Sequence, residues 1–153
     1  MNDLHDDEGL DFGPLPAAID ALLQRGVAAH FTDPAAAEAA FATAIAQAPD
    51  ALPAYRCLFK HYNRRRQFAE AYATVHTWLA EASRQAALPA DWRTWPSAPA
   101  SALWPLKALA FIELRRGRAD AAAAALEHLL RLDPEDGVGG SVVAALLPAA
   151  EPA

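Results

Sequence analysis

Five histidines, one cysteine, a glycine-rich stretch and two arginine clusters are the residues of this chain that could do chemistry. His5, His30, His61, His76 and His128 show no HxxH or HExxH spacing and no regular carboxylate partner, so no metal site is expected from them. Each reads as a surface histidine or as one satisfied within a helix. Cys57 falls on an apolar helix face, where a cysteine behaves as a small hydrophobe. Being the only cysteine, it excludes an internal disulfide and any multi-cysteine metal site. Gly137-Val138-Gly139-Gly140 loosely suggests a phosphate loop, but no strand precedes it and no Lys-Ser or Lys-Thr follows, so it reads as a helix stop. Polar groups do not converge at any recognisable spacing. The expectation is a non-enzyme without cofactor, metal or small-molecule substrate.

The arginines Arg64, Arg65 and Arg66, and Arg115, Arg116 and Arg118, fall at turns between helices. Such an edge could touch phosphates, and nucleic-acid contact stays as an alternative reading. Against it stand a body without net positive charge and the lack of a nucleic-acid motif. Trp92 and Trp95 flank Arg93 in a proline-rich segment and admit two readings: a secondary partner contact, or packing over Trp78 and Trp104.

Residues like these need helices to hold them, and the composition supplies helices. Alanine fills 40 of 153 positions and hydrophobic residues make up 54% of the chain. Alanine loses no side-chain entropy in a helix, so close-packed helices are expected. The net charge of −6 is carried entirely by residues 1 to 20, through Asp3, Asp6, Asp7, Glu8, Asp11 and Asp20. An acidic tail thus precedes a neutral body of 13 acidic and 13 basic side chains. No apolar run is long enough for a membrane span, and the start shows no secretory signal, so the expected compartment is the cytoplasm.

Apolar spacing marks the elements. The first helix runs from Leu15 to about His30. Thr32-Asp33-Pro34 restarts the chain with a capping side chain followed by proline. The second helix carries Ala37, Phe41, Ala44 and Ile45 and ends before Pro49. A third follows Pro53 with Tyr55, Leu58, Phe59 and Tyr62, and a fourth holds Phe68, Ala71, Tyr72, Val75, Trp78 and Leu79 on its apolar face. Residues 88 to 105, with Pro89, Pro96, Pro99 and Pro105, break the pattern. Helical spacing resumes at Leu106 and, after the turn at 115–118, again through Ala122, Leu126 and Leu129 to Asp133-Pro134. Nothing alternates with period two, so the fold class is all-α. The expected organisation is an acidic disordered tail over 1–13, a single helical domain over 14–147 with a short closing helix at 141–147, and a tail over 148–153.

A shift of 34 residues places Ala37 on Ala71 and Phe41 on Val75. A shift of 51, which is 34 plus a 17-residue insertion, places Leu58 on Leu109, Ala71 on Ala122, Val75 on Leu126 and Arg64-Arg65 on Arg115-Arg116. Three units result, near 18–51, 52–85 and 103–136, with an insertion over 86–102. Tyr55, Leu58, Tyr62, Phe68 and Ala71 in the second unit, Leu109, Gly117, Ala122, Leu126 and Pro134 in the third, and Ala37, Phe41, Ala44 and Pro49 in the first resemble the tetratricopeptide repeat family. The chain departs from the family pattern at Arg25 and Phe59, where a small residue is wanted, and at Trp78, where alanine is.

That resemblance implies antiparallel helix hairpins stacked as a short right-handed superhelix, with first helices lining a concave face that takes a partner's peptide or helix. Arg56, Lys60 and Arg64 at i, i+4, i+8, and Lys107, Phe111 and Arg115 at the same spacing, would lie on that face, with Asn63 and Trp104 beside them. Such a basic, partly aromatic groove suits an acidic protein partner. The family's chaperone-tail clamp is not expected, because its slots hold Leu22, Gly26 and Cys57. The implied function is an adaptor, assembly factor or chaperone-like escort; a structural subunit that self-associates through Val142–Leu147 is the alternative. The acidic tail, with Leu10 and Phe12, has the charge to occupy the groove itself or simply to solvate the chain.

Overall fold

A computed structural model describes residues 10–148; of the tails expected over 1–13 and 148–153, residues 1–9 and 149–153 lie outside the described residues. Every helix and turn of the expected all-α class is present, and among the described residues there is no strand. The chain divides into two compact units, the first ending at Gln67 and the second beginning at Phe68. The division falls between the two helices of the expected repeat at 52–85.

The first unit holds α1 (Ala17–Ala29), α2 (Pro34–Gln47) and α3 (Leu52–Arg64). Asp33 caps α2 by accepting from the Ala36 amide at 3.2 Å, and Pro34 stands where no amide is needed. Helices α1 and α2 pack on each other, α2 packs on α3, and α1 also reaches α3. Ile19, Leu23, Val27, Phe41, Cys57 and Leu58 form the core with a bed of alanines. Tyr55 donates to the Pro49 carbonyl at 2.6 Å and fixes the short link between α2 and α3. Leu10 and Phe12, expected in the mobile tail, lie against this core, and the Leu10 carbonyl accepts from Gln24 at 2.6 Å. Their apolar bulk explains the difference.

Gly26 explains how so few large side chains fill the unit. A Cβ there would stand 2.4 Å from Cε1 of Phe41, inside any allowed contact. The absent side chain lets the Phe41 ring lie on the α1 backbone.

The second unit holds α4 (Phe68–Gln85), a 3-10 turn (Trp92–Thr94), α5 (Ala100–Arg115), α6 (Ala119–Leu132) and α7 (Gly140–Ala144). Helix α5 packs on α4 and α6, and α7 on both α5 and α6. The expected break at 88–105 ends earlier, because α5 begins at Ala100 and contains the buried Pro105. That proline removes one amide to the carbonyl of Ser101, an exposed residue where water can take its place. The closing helix is shorter than the expected 141–147 and ends at Ala144. It sits tightly on α6, since a Cβ at Gly140 would meet Cδ2 of Leu129 at 2.7 Å.

Helices α3 and α5 end alike at positions 51 apart, and α4 ends in the same way at Ala87, φ 56°. Helix α3 ends with the Gln67 amide on the Tyr62 carbonyl and the Arg66 amide on that of Asn63, with Arg66 at φ 61°. Helix α5 ends with the Arg118 amide on the Glu113 carbonyl and the Gly117 amide on that of Leu114, with Gly117 at φ 78°. Both are the left-handed helix stop that satisfies the last carbonyls.

Gly26→Ala tests the contact that organises the first unit. Overpacking is expected to cost about 1–3 kcal/mol, against a propensity gain of about 1 kcal/mol for alanine in a helix. Urea denaturation should show net destabilisation, relieved in part by Phe41→Leu. A variant as stable as the parent, or more stable, would contradict the contact.

Candidate binding surfaces of the two units

In the first unit, α3 carries Arg56, Lys60, Asn63 and Arg64, and all four are half-buried. The helix has no acidic residue. Glu38 of α2 lies beside this helix and accepts from the Tyr62 hydroxyl at 2.7 Å. Cys57 lies on the core side of α3. Burial pushes its thiol up to about 12, although Lys60 and Arg56 pull the other way. At neutral pH it is a protonated, enclosed thiol, which is the wrong state for a nucleophile.

In the second unit, α5 carries Trp104, Lys107, Phe111 and Arg115 on successive turns, again all half-buried. Here cations lie on rings. The Lys107 ammonium sits 5.2 Å from the centroid of Trp104. The Arg115 guanidinium stands 4.7 Å from the centroid of Phe68 and 5.7 Å from that of Phe111. Arg116 lies 3.7 Å over Tyr72 while its Nη1 bonds Glu113 Oε1 at 2.8 Å. His76 meets Tyr72 edge-on at 4.4 Å, and burial, aided by Arg116 and opposed by Glu113, holds it below the ordinary histidine range.

Phe68 and Tyr72 were expected on the apolar face of α4, yet both are half-buried beneath guanidinium groups. The end of α5 crosses the start of α4 there, so arginine side chains cover the rings in place of another helix. The Phe68, Tyr72, His76 spacing of i, i+4, i+8 was the available signal for this surface.

Trp92 and Trp95 are core residues, 8% and 2% exposed. The Trp95 indole donates to the Pro89 carbonyl at 2.7 Å, and the Trp92 ring meets His128 edge-on at 5.2 Å. Of the two readings their position allowed, burial supports packing, leaving Arg93, 4.4 Å over Trp92, at the surface. The glycine-rich stretch is engaged by its own carboxylates. Asp133 accepts from the Gly137 and Val138 amides, each at 2.9 Å, and Asp136 from the Ser141 amide at 3.0 Å. Among the described residues no three His, Cys, Asp or Glu side chains converge as metal ligands do. No helix among them is long and apolar enough to cross a membrane.

One histidine arrangement escaped the sequence reading. His30, at the end of α1, and His61, in the last turn of α3, bring their Nδ1 atoms within 2.7 Å in the interior of the first unit. The residues are 31 apart, so no local spacing announces the pair.

Arg116→Met probes the covering of the α4 rings. It removes the stacked cation and strands the buried Glu113 carboxylate, which should cost about 2 kcal/mol. Glu113→Gln in the same chain should recover part of the loss in thermal denaturation. A loss unchanged by Glu113→Gln would contradict the pairing.

Comparison with protein-family models, with curated proteins and with solved structures returns no match, which leaves the two surfaces to be read from their own geometry.

Proposed function

We propose that the chain is a non-catalytic protein-interaction module, an adaptor or chaperone-like escort, that takes acidic peptide or helical segments on the faces of α3 and α5. The observation that carries this reading is the set of cations laid on aromatic rings along α5: Lys107 on Trp104, and Arg115 on Phe111 and Phe68. At such a cation an incoming carboxylate gains a charge-assisted bond beside an apolar anchor. The charge distribution supports the same partner. Helix α3 holds Arg56, Lys60 and Arg64 with no acid, and the one acid of α5, Glu113, is bound to Arg116.

A tetratricopeptide-like architecture is part of the proposal. Its support is the packing of each helix on its chain neighbour within a unit, with α1 also on α3 and α5 also on α7.

A second reading, self-association, is favoured by one observation: Val142 and Leu146 are 65% and 54% exposed at the end of the second unit. Both readings meet in one experiment. Affinity capture from lysate of the source organism is run with the native chain, with Arg56/Lys60/Arg64→Glu and with Lys107/Arg115→Glu, after circular dichroism has shown each to be folded. The expected result is a partner with acidic segments, held by the native chain and lost by at least one variant. A partner held equally by all three would overturn the charged-face reading. Capture of the chain's own copies alone would favour self-association.

A further inference from the structure

The buried histidine pair of the first unit supports an inference that is independent of the binding reading. His30 is 3% exposed and His61 is fully enclosed. With the two Nδ1 atoms 2.7 Å apart, only one of them can carry a proton: one ring donates and the other accepts. The rings meet edge-on, at 77° between planes and 4.9 Å between centroids. Phe31 lies against His30, and Phe41 and Tyr62 lie against His61. The remaining nitrogen of His61, Nε2, is buried with no hydrogen-bond partner. A proton added there would create a charged donor facing neither water nor an acceptor. A proton added to the accepting Nδ1 would set two N–H donors, one of them on a cation, face to face at hydrogen-bond distance.

The charged groups around the pair do not remove this conflict. Glu38 reaches from α2 and favours the charged form of His61, with Tyr62 taking its hydrogen-bonding oxygen. Arg65, at the end of α3, opposes it, and burial opposes it more. Burial and Arg65 together hold His61 below the ordinary histidine value of 6.5. A lowered value means that the unfolded or opened state binds the proton better. The stabilisation is therefore complete above 6.5 and is lost as the pH falls below it.

We propose that the His30–His61 contact is a proton-operated latch, which holds the end of α1 on α3 while both rings are neutral and releases it in acid. The turn that opens includes the amides of His30, Thr32 and Asp33, which bond back to Val27 and Ala29. Opening also uncovers the enclosed His61 at the root of the α3 face.

The test uses the full chain. Nitrogen-15 spectra of the histidine rings at pH 7.5 should show one of the two Nδ1 atoms protonated and the other bare. Amide exchange protection over residues 27–33 should fall about tenfold per pH unit below pH 6.5, the slope of one proton taken up on opening. In His61→Gln, where His30 no longer faces a second imidazole, that dependence should be markedly flattened. If the variant fails to fold, the native spectra decide. Two rings both bare at Nδ1, or native protection unchanged from pH 6.5 to 5.5, would overturn the latch.

Discussion

Helices built largely of alanine present shallow faces, and everything else in this structure follows from that constraint. Alanine contributes little buried area, so the apolar stabilisation has to come from a few large side chains, each pressed against a backbone that comes close enough to meet it. Phe41 on Gly26 does this in the first unit, and Leu129 on Gly140 in the second. Both contacts exist only because the facing residue has no side chain. The tryptophans do the same work where the chain has no helix to offer: Trp92 and Trp95 turn the proline-rich link into core.

Shallow faces also decide where the charges go. A long cation on a helix with shallow faces finds an uncovered ring nearby more easily than a deep groove. Arg115, Arg116 and Lys107 lie down over Phe68, Tyr72 and Trp104 in this way. The result is a surface that combines positive charge with apolar area and is half open to solvent. In the first unit the basic residues of α3 take the same half-buried positions without an acid on their helix. These cation-covered rings lie at the margins of the packing that stabilises the second unit.

Local signals in the sequence carried most of the secondary structure. Asp33-Pro34 announces α2 through its cap, and the arginine-rich turns at 64–66 and 115–118 end their helices with the same hydrogen bonds. The features that were not legible depend on partners distant in sequence. Pro105 reads as a breaker, yet tertiary packing of α5 overrides it. Gly26 looks like an ordinary weak point in a helix until Phe41 arrives from α2. The His30–His61 contact belongs to no motif, because two helices must fold before the rings meet. At the candidate surface, the basic residues of α3 and α5 were visible from their i, i+4 spacing. The covering of Phe68 and Tyr72 by arginines was not, since it depends on where α5 crosses α4.

The most direct measurement of the packing constraint is the proton spectrum of Gly26. A ring carbon of Phe41 stands 2.4 Å from where a Gly26 side chain would begin, so one α-proton of that glycine points at the ring. The account predicts two well-separated α-proton resonances with strong nuclear Overhauser effects to the Phe41 ring, lost in Phe41→Leu. Degenerate α-protons at ordinary shifts, with no contact to Phe41, would show that the helices do not approach as closely as the rest of the structure requires.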